Sequence, residues 1–186
     1  PYPILTLFDS GGIDTLNLSG WNTPSVVSLE SGTYSSANSM TNNIVIAYGA
    51  VIENAIGGGG ADTLNGNAAA NQLSGGDGAD GLWGLGGNDF LTGDAGNDQI
   101  YGGDGSDTAI FSGSFASYTI SYNSSLGAYS LSAASTGTDL VYDVESFQFS
   151  DVLRSASQLT SADTIAPTLT GASPADNATG VLPTAN

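Results

Sequence analysis

A nine-residue repeat occupies the middle of the chain and restricts the folds that the chain can adopt. From Gly57 to Ile110 the sequence divides without gaps into six blocks. The blocks read GGGGADTLN, GNAAANQLS, GGDGADGLW, GLGGNDFLT, GDAGNDQIY and GGDGSDTAI. Each block begins with glycine, has Asp or Asn at its sixth position and has an apolar residue at its eighth. A short fixed period of this kind is typical of a solenoid, in which each repeat packs mainly against its neighbours.

Each block combines a glycine-rich turn with a short strand, so that two blocks complete one circuit and blocks two apart stack on each other. This register predicts two ladders of buried apolar side chains. One ladder contains Leu64, Leu82 and Ile100, and the other contains Leu73, Leu91 and Ala109. Burying one such side chain contributes about 1.5–3 kcal/mol, and each strand offers only one. The core is therefore thin, and the fold needs another source of stability.

The charge of the chain indicates what that source is. The sequence has 18 Asp and Glu residues against 1 Lys or Arg, which gives a formal net charge of -17. A compact chain with this charge repels itself unless cations neutralise it. Glycines with positive φ turn carbonyl oxygens inward, and the sixth-position carboxylates add negative charge. Because such a donor set contains only oxygen, we expect several calcium ions rather than zinc or iron. Magnesium is disfavoured because it prefers to keep its own water.

We expect each calcium ion to lie between sixth-position residues that are eighteen positions apart and to be shared by two stacked turns. The sixth-position candidate ligands are Asp62, Asn71, Asp80, Asp89, Asp98 and Asp107. The candidate ligands at the first and third positions are Gly57, Gly59, Gly75, Asp77, Gly84, Gly86, Gly93, Ala95, Gly102 and Asp104. For the side chains of Asp77 and Asp104, solvated turn positions are the alternative to a ligand role.

Two segments extend or weaken this pattern. The second block has Asn67 and Ala69 in place of two glycines and the neutral Asn71 in place of Asp, so we expect the Asn71/Asp89 site to be the weakest or to be empty. The segment GGIDTLN at 11–17 copies GGADTLN at 59–65 except at one position. It is predicted to form an outlying turn of the same roll, with Asp14 as a further candidate ligand.

Several classes of function are excluded by the composition. The chain has no cysteine and no histidine, which removes disulfides, thiolate nucleophiles, zinc sites of the Cys/His kind and Ser-His-Asp triads. Nucleic acid and anionic membranes are poor partners, because Arg154 is the only basic residue. The first five residues contain no basic region and no long apolar run, so we expect neither a signal peptide nor a membrane span there.

The composition also divides the chain into four parts. Residues 1–56 are predicted to form strands that pack on the roll, and residues 57–110 form the six-repeat roll. Residues 111–162 carry period-two strand patterns and are predicted to form an antiparallel strand cap, which covers the last turn. Residues 163–186 resemble a linker and the start of an Ig-like module. No segment predicts a helix of any length.

The blocks match GGxGxDxUx, where U is a large apolar residue, which is the calcium-binding nonapeptide of repeats-in-toxin (RTX) proteins. The sequence before them resembles the C-terminal domain of serralysin-type metalloproteases. That resemblance is carried by LFDSGGIDTL at 7–16, LSGW at 18–21, IAYG at 46–49 and IENAIGG at 52–58. It implies an all-β fold, a right-handed parallel β-roll flanked by N-terminal strands and a C-terminal antiparallel strand cap.

The resemblance also implies a function. Such a domain is a non-catalytic module of a larger secreted protein, and it folds on extracellular calcium after type I secretion from a bacterium. The expected partners are calcium ions, the adjoining domains of the parent chain and the type I secretion apparatus. The zinc motif HExxHxxGxxH of the family needs histidines that are missing here, so a zinc metalloendopeptidase activity would belong to the parent protein.

Two other hypotheses use the same module. The roll would stabilise a surface adhesin or exopolysaccharide-binding protein with Ig-like repeats, which the character of 163–186 favours. Alternatively, it would be attached to a lipase, a polysaccharide lyase or an epimerase, which the serralysin-like residues 1–60 disfavour. A disordered acidic linker is the plainest alternative for a sequence rich in Gly and Asp, and six consecutive blocks in register argue against it.

Overall fold

The computed structural model describes residues 4–160, and these residues form a β-roll from seventeen short strands. The first six strands are β1 (Leu5–Leu7), β2 (Thr15–Asn17), β3 (Val26–Ser28), β4 (Tyr34–Ser35), β5 (Ile44–Ile46) and β6 (Asn54–Ile56). The repeats form β7 (Thr63–Asn67), β8 (Gln72–Asp77), β9 (Gly81–Gly87), β10 (Phe90–Ala95), β11 (Gln99–Gly105) and β12 (Thr108–Ile110). The last five are β13 (Thr119–Asn123), β14 (Ala128–Ala133), β15 (Gly137–Tyr142), β16 (Ser146–Gln148) and β17 (Leu153–Ser155). Within this range no helix is long and apolar enough to cross a membrane.

Consecutive strands of the repeat alternate between two seven-stranded sheets. One sheet has the order β2-β6-β8-β10-β12-β16-β17, and the other has the order β3-β7-β9-β11-β15-β14-β13. The repeat strands pair in parallel with the strand two places away in sequence. A third sheet, β1-β5-β4, lies in the N-terminal part. The prediction of an all-β parallel roll with N-terminal strands and an antiparallel cap is confirmed.

The two predicted ladders are present in the predicted register. Leu64 pairs with Leu82, which pairs with Ile100, and Leu73 pairs with Leu91, which pairs with Ala109. All six side chains are fully buried. The flanking segments prolong the ladders with Val27, Ala55, Val141 and Phe147. The thin core therefore runs through the roll from the N-terminal strands to the cap.

The segment that copies the first repeat lies at one end of a sheet. Its strand β2 pairs in parallel with β6, and Leu16 stands opposite Ala55. This places the turn before Thr15 one layer outside the turn that contains Glu53. The segment thus forms an outlying layer of the same stack, as the sequence predicts.

Two strands of the expected cap extend the roll instead. β15 pairs in parallel with β11, and β16 pairs in parallel with β12, because Val141 and Phe147 continue the two ladders. Only β13, β14 and β17 add antiparallel edges to them. A 3₁₀ turn at Phe115–Ser117 and a five-residue α-helix, Ala156–Thr160, are present where the sequence predicts no helix. The predicted linker and Ig-like segment at 163–186 lie outside the described residues.

Candidate metal centre

The sixth-position side chains form two columns, one for each sheet. In one column the Oδ1 of Asp80 accepts a hydrogen bond from the backbone N–H of Asp62 at 2.7 Å, and Asp98 accepts from Asp80 at 2.9 Å. In the other column Asp89 accepts from Asn71 at 2.7 Å and Asp107 accepts from Asp89 at 2.9 Å. The structure therefore brings together the residues eighteen positions apart that the repeat predicts as pairs.

Four of these carboxylates have one oxygen that the protein leaves without a partner. Among the described residues, the Oδ2 atoms of Asp80, Asp89, Asp98 and Asp107 are buried and receive no hydrogen bond. The four side chains are at most 2 % exposed. A buried ionised oxygen without a partner costs several kcal/mol. Each of these oxygens therefore needs a proton or a cation close to it.

The environment makes the bare negative charge unfavourable. Burial, with a smaller contribution from the neighbouring Asp98 carboxylate, raises the pKa of Asp80 to about 7. Burial also raises the pKa of Asp89, to about 6, and raises the pKa values of Asp98 and Asp107. In each case the cause is the loss of hydrating water, which a bound cation would offset with positive charge.

The first-position glycines leave the space beside these oxygens. A Cβ on Gly75 would overlap the Oδ2 of Asp80, and a Cβ on Gly93 would overlap the Oδ2 of Asp98. The same holds for Gly84 with the Oδ2 of Asp89 and for Gly102 with the Oδ2 of Asp107. At three of these glycines, a backbone carbonyl oxygen of the next turn borders the same space, which we call the cradle. The carbonyl of Gly93 lies beside Gly75, that of Gly102 beside Gly84, and that of Asp143 beside Gly102. Glycine at this position thus keeps a carboxylate oxygen and a carbonyl oxygen close together.

The donor set fits calcium better than a transition metal. Within residues 4–160, no three Asp, Glu, His or Cys side chains come together in a group that could hold a metal ion. A cation in a turn would therefore be held by one or two carboxylates together with backbone carbonyls. Calcium takes six to eight oxygen ligands in flexible geometry, and backbone carbonyls are among its usual ligands.

The third-position candidates lie nearer the surface. Gly59, Asp77 and Asp104 are exposed, and Gly86 and Ala95 are half-buried. The carbonyl of Ala95 already accepts a hydrogen bond of 2.8 Å from the N–H of Gly78 in the preceding layer. The exposed side chains of Asp77 and Asp104 therefore stand apart from the buried columns.

Asp14 also stands apart from the buried columns. Its backbone N–H donates to the Oε2 of Glu53 at 2.8 Å, which repeats the contact between layers seen inside the roll. Its own side chain is half-buried. The hydrogen bond that its protonated carboxyl donates to the neighbouring Asp9 carboxylate raises its pKa.

The sequence analysis missed two acidic residues that continue the columns. The Oδ1 of Asp139 accepts the N–H of Asp98 at 3.1 Å, and the Oε2 of Glu145 accepts the N–H of Asp107 at 2.8 Å. Asp139 is buried, and burial raises its pKa to about 7. The segment TGTDLVY at 136–142 does carry the Gly, Asp and apolar residues of a repeat, but 41 residues separate Asp139 from Asp98 instead of eighteen.

Comparison with known proteins identifies the family to which this stack of turns belongs. The family model described as "Peptidase M10 serralysin C terminal" matches residues 3–172 of the chain. The chain belongs to the serralysin C-terminal family. The resemblance predicted from the repeats and from the N-terminal flank is confirmed.

Individual relatives match part of this serralysin C-terminal domain. Serralysin G of Dickeya chrysanthemi is 48% identical over 70 residues, which are 38% of this chain and 15% of that protein. A serralysin of Photorhabdus laumondii is 43% identical over 70 residues, with the same shares. The solved structure of the extracellular lipase LipA from Serratia marcescens is 22% identical, covers 54% of this chain and 19% of that one, and has a TM-score of 0.45. The matched part is thus a small fraction of each relative.

Proposed function

We propose that this serralysin C-terminal domain is a non-catalytic, calcium-binding roll of a larger secreted protein. In this proposal the domain folds when it meets extracellular calcium, after type I secretion. One observation carries the proposal: four buried carboxylate oxygens, on Asp80, Asp89, Asp98 and Asp107, have no hydrogen-bond partner within residues 4–160. A buried charge of this kind is favourable only when a cation compensates it.

The residues that would hold calcium follow from the cradles. The Oδ2 of Asp80 lies near the carbonyl of Gly93, and the Oδ2 of Asp89 lies near the carbonyl of Gly102. At the C-terminal end, the carbonyl of Asp143 has the same place beside Gly102 and Asp107. Asp139 and Glu145 would contribute the last carboxylates of the two columns. When bound, calcium supplies the positive charge that joins one layer to the next.

This arrangement would couple folding to calcium concentration. Without calcium, the stacked turns hold buried carboxylates close together, which disfavours the folded chain. A site filled at one hundred times its dissociation constant adds about 2.7 kcal/mol to stability. Several such sites are enough to decide whether a domain with a thin core folds. The acidic chain would then stay unfolded inside the cell and fold outside it.

The family membership favours a protease as the parent protein over the adhesin and lipase hypotheses. This chain has no histidine for a zinc site, so any zinc endopeptidase activity would lie in another part of the parent. The role proposed for the roll within that parent is a stabilising one, because it forms a compact domain outside the cell.

Calorimetric titration of the chelator-stripped chain with calcium tests the proposal. We expect saturable calcium binding together with a gain of β-structure in the circular dichroism spectrum, and weaker binding of magnesium. The double variant Asp80→Asn/Asp98→Asn should lose much of the calcium binding. The variant Asp77→Asn/Asp104→Asn changes the charge equally but leaves every backbone carbonyl in place, and it should bind calcium as the unmodified chain does. Absence of calcium binding by the unmodified chain would refute the proposal.

A further inference from the structure

Three aromatic side chains stack on the outer face of one sheet. Trp83, Tyr101 and Tyr142 have equivalent positions in the neighbouring strands β9, β11 and β15. The ring centroids of Trp83 and Tyr101 are 5.3 Å apart, those of Tyr101 and Tyr142 are 4.4 Å apart, and the ring planes differ by only 6° and 8°. Because these distances are close to the spacing of about 4.8 Å between strands, each ring turns its faces toward the layers before and after it. We name these three rings the outer stack.

The outer stack ends at Trp83, where one face of the indole has no ring against it. In the adjacent strand β7, Asn65 stands opposite Trp83 and Thr63 stands opposite Gly81. Both of these side chains are smaller than an indole, and among the described residues the only ring stacked on Trp83 is that of Tyr101. The outer surface therefore falls from the indole of Trp83 to the shorter side chains of Thr63 and Asn65. We name this place the indole step.

Gly81 brings the indole close to the backbone of its own strand. A Cβ on Gly81 would overlap the six-membered ring of Trp83. The residues opposite Gly81 in the strands on either side, Thr63 and Gln99, both have side chains. The indole thus lies in space that a side chain at position 81 would fill, and it forms a wall along the indole step.

The indole step also contains polar groups that the protein leaves free. The Nδ2 of Asn65 donates to the carbonyl of Val27 at 2.9 Å, but its Oδ1 has no hydrogen-bond partner within residues 4–160. In the same part of the chain, the hydroxyl of Thr63 and the indole Nε1 of Trp83 also have no partner. None of these three atoms is buried. An acceptor, a hydroxyl and an N–H donor are therefore available to a ligand beside one aromatic face.

The surroundings of the indole step are uncharged. The residues before and after the buried Leu64, Leu82 and Ile100 in sequence lie on the outer face, and none of them is charged. The chain as a whole has a formal net charge of -17, so it repels a polyanionic ligand. An aromatic wall beside neutral amide and hydroxyl groups instead suits a neutral ligand that has both an apolar face and hydroxyl groups.

We propose that the indole step binds one sugar unit of a neutral β-1,4-linked glycan. In a pyranose of the glucose configuration the ring substituents are equatorial, so axial C–H bonds cover both faces of the sugar. One of these faces packs on the indole of Trp83, whose π face is negative. The equatorial hydroxyls at the edge of the sugar form hydrogen bonds with Asn65 and Thr63 below it. This inference adds a second kind of ligand to the roll and does not depend on where calcium binds.

An NMR titration of the folded chain in saturating calcium tests the site, with cellohexaose and chitohexaose as probes. The chain has two tryptophans, so two indole N–H signals are followed, and Trp83→Phe assigns them. We expect the Trp83 signal to shift saturably with one or both oligosaccharides and the Trp21 signal to stay in place. Indole itself is a competing probe. Shifts with indole but with neither oligosaccharide, or no shift of the Trp83 signal, would overturn the inference.

Two truncations of outer rings compare the indole step with the opposite face of the roll. Trp83→Ala removes the wall and should weaken oligosaccharide binding by about tenfold in isothermal titration. Phe90→Ala is the control, because Phe90 is a half-exposed ring on the outer face of the other sheet. It should bind the oligosaccharide as the unmodified chain does. Equal losses in the two variants, or no loss in Trp83→Ala, would contradict the site.

A variant that fills the indole step keeps the inference testable if Trp83→Ala does not fold. Asn65→Tyr places a fourth ring next to Trp83, so the outer stack becomes longer and the sugar loses its place. We expect this variant to fold, as checked by circular dichroism, and to show no shift of the Trp83 signal with either oligosaccharide. If the folded variant still binds, the ligand lies elsewhere and the inference fails.

Discussion

In the repeat each strand places one apolar side chain inside the roll, whereas aromatic rings pack together at the C-terminal end. This ring cluster consists of Phe111, Phe115, Tyr118, Phe147 and Phe149. The ring of Phe149 lies 5.2 to 5.5 Å from the rings of Phe115, Phe111 and Tyr118. The turns 75–80, 84–89, 93–98 and 102–107, called the open turns, instead surround buried carboxylate oxygens that have no hydrogen-bond partner in the described part of the chain.

The two regions therefore depend on different conditions. Burial of rings depends neither on calcium nor on the protonation of carboxylates, because no carboxylate belongs to the ring cluster. The open turns carry buried charge, so their contribution to the free energy of folding changes sign when a cation or a proton binds. In the proposed function, one chain therefore contains a region folded by apolar burial next to a region folded by ions.

Acidic pH should stabilise the open turns when calcium is removed. Burial raises the pKa of Asp80 from 3.8 to about 7, so the folded chain keeps a proton that the unfolded chain loses. The stability of the chelated chain should therefore be highest below pH 4 and should fall as the pH rises to about 7. In saturating calcium the slope should reverse, because calcium needs the deprotonated carboxylate. Thermal unfolding at several pH values, with calcium or with chelator, measures both slopes, and equal slopes would contradict the prediction.

Phe147→Ala should destabilise the ring cluster by about 3–5 kcal/mol, since it leaves a cavity in a fully buried site. Because Phe147 also continues one ladder of the roll, the loss should be seen in saturating calcium by denaturant unfolding. Tyr122→Ala, at an exposed ring outside the cluster, is the control and should cost far less. Similar losses in the two variants would argue against a cluster stabilised by apolar burial.

Leu82→Ala should cost about 2–5 kcal/mol in calcium, because Leu82 is fully buried between two layers of the roll. With chelator present the same substitution should have little further effect, since the layers around it are then already disordered. Denaturant unfolding under the two conditions gives both values. A loss of equal size without calcium would show that the layers stay packed in the absence of the ion.

Leu85→Gly should raise stability by roughly 1 kcal/mol, because glycine accepts the positive φ of 73° without strain. Little apolar burial is lost, since Leu85 is 42% exposed. Ser106→Gly is the control at an exposed turn position without a positive φ, and it should lower stability slightly. A decrease for Leu85→Gly in calcium would contradict the strain assigned to this turn.

Much of the roll could be predicted because its period is a property of the sequence itself. A nine-residue block with one apolar eighth residue places Leu64 opposite Leu82 and Leu73 opposite Leu91, and the structure has these pairs. The same arithmetic places Asp80 one layer from Asp98. These features are local, so they do not depend on how distant segments pack.

In the turns 57–62 and 66–71 the sixth-position oxygens accept hydrogen bonds, and this difference from the open turns could not be predicted in this way. It depends on contacts from Trp21, Leu29 and Ile52, which tertiary packing brings to the first two turns. The layer that contains Asp139 could not be predicted either, because an inserted hairpin, β13 and β14, interrupts the nine-residue period before that layer. In both cases the missing information is long-range packing, which a repeat pattern does not contain.

Hydrogen exchange measured with calcium and with chelator tests the central claim most directly. The claim is that cations hold the open turns together. We predict that the backbone amides of Leu82, Leu91 and Ile100, which are protected in calcium, exchange rapidly once calcium is removed. Unchanged protection of these amides in the presence of chelator would contradict the claim, because the layers would then be held by the protein alone.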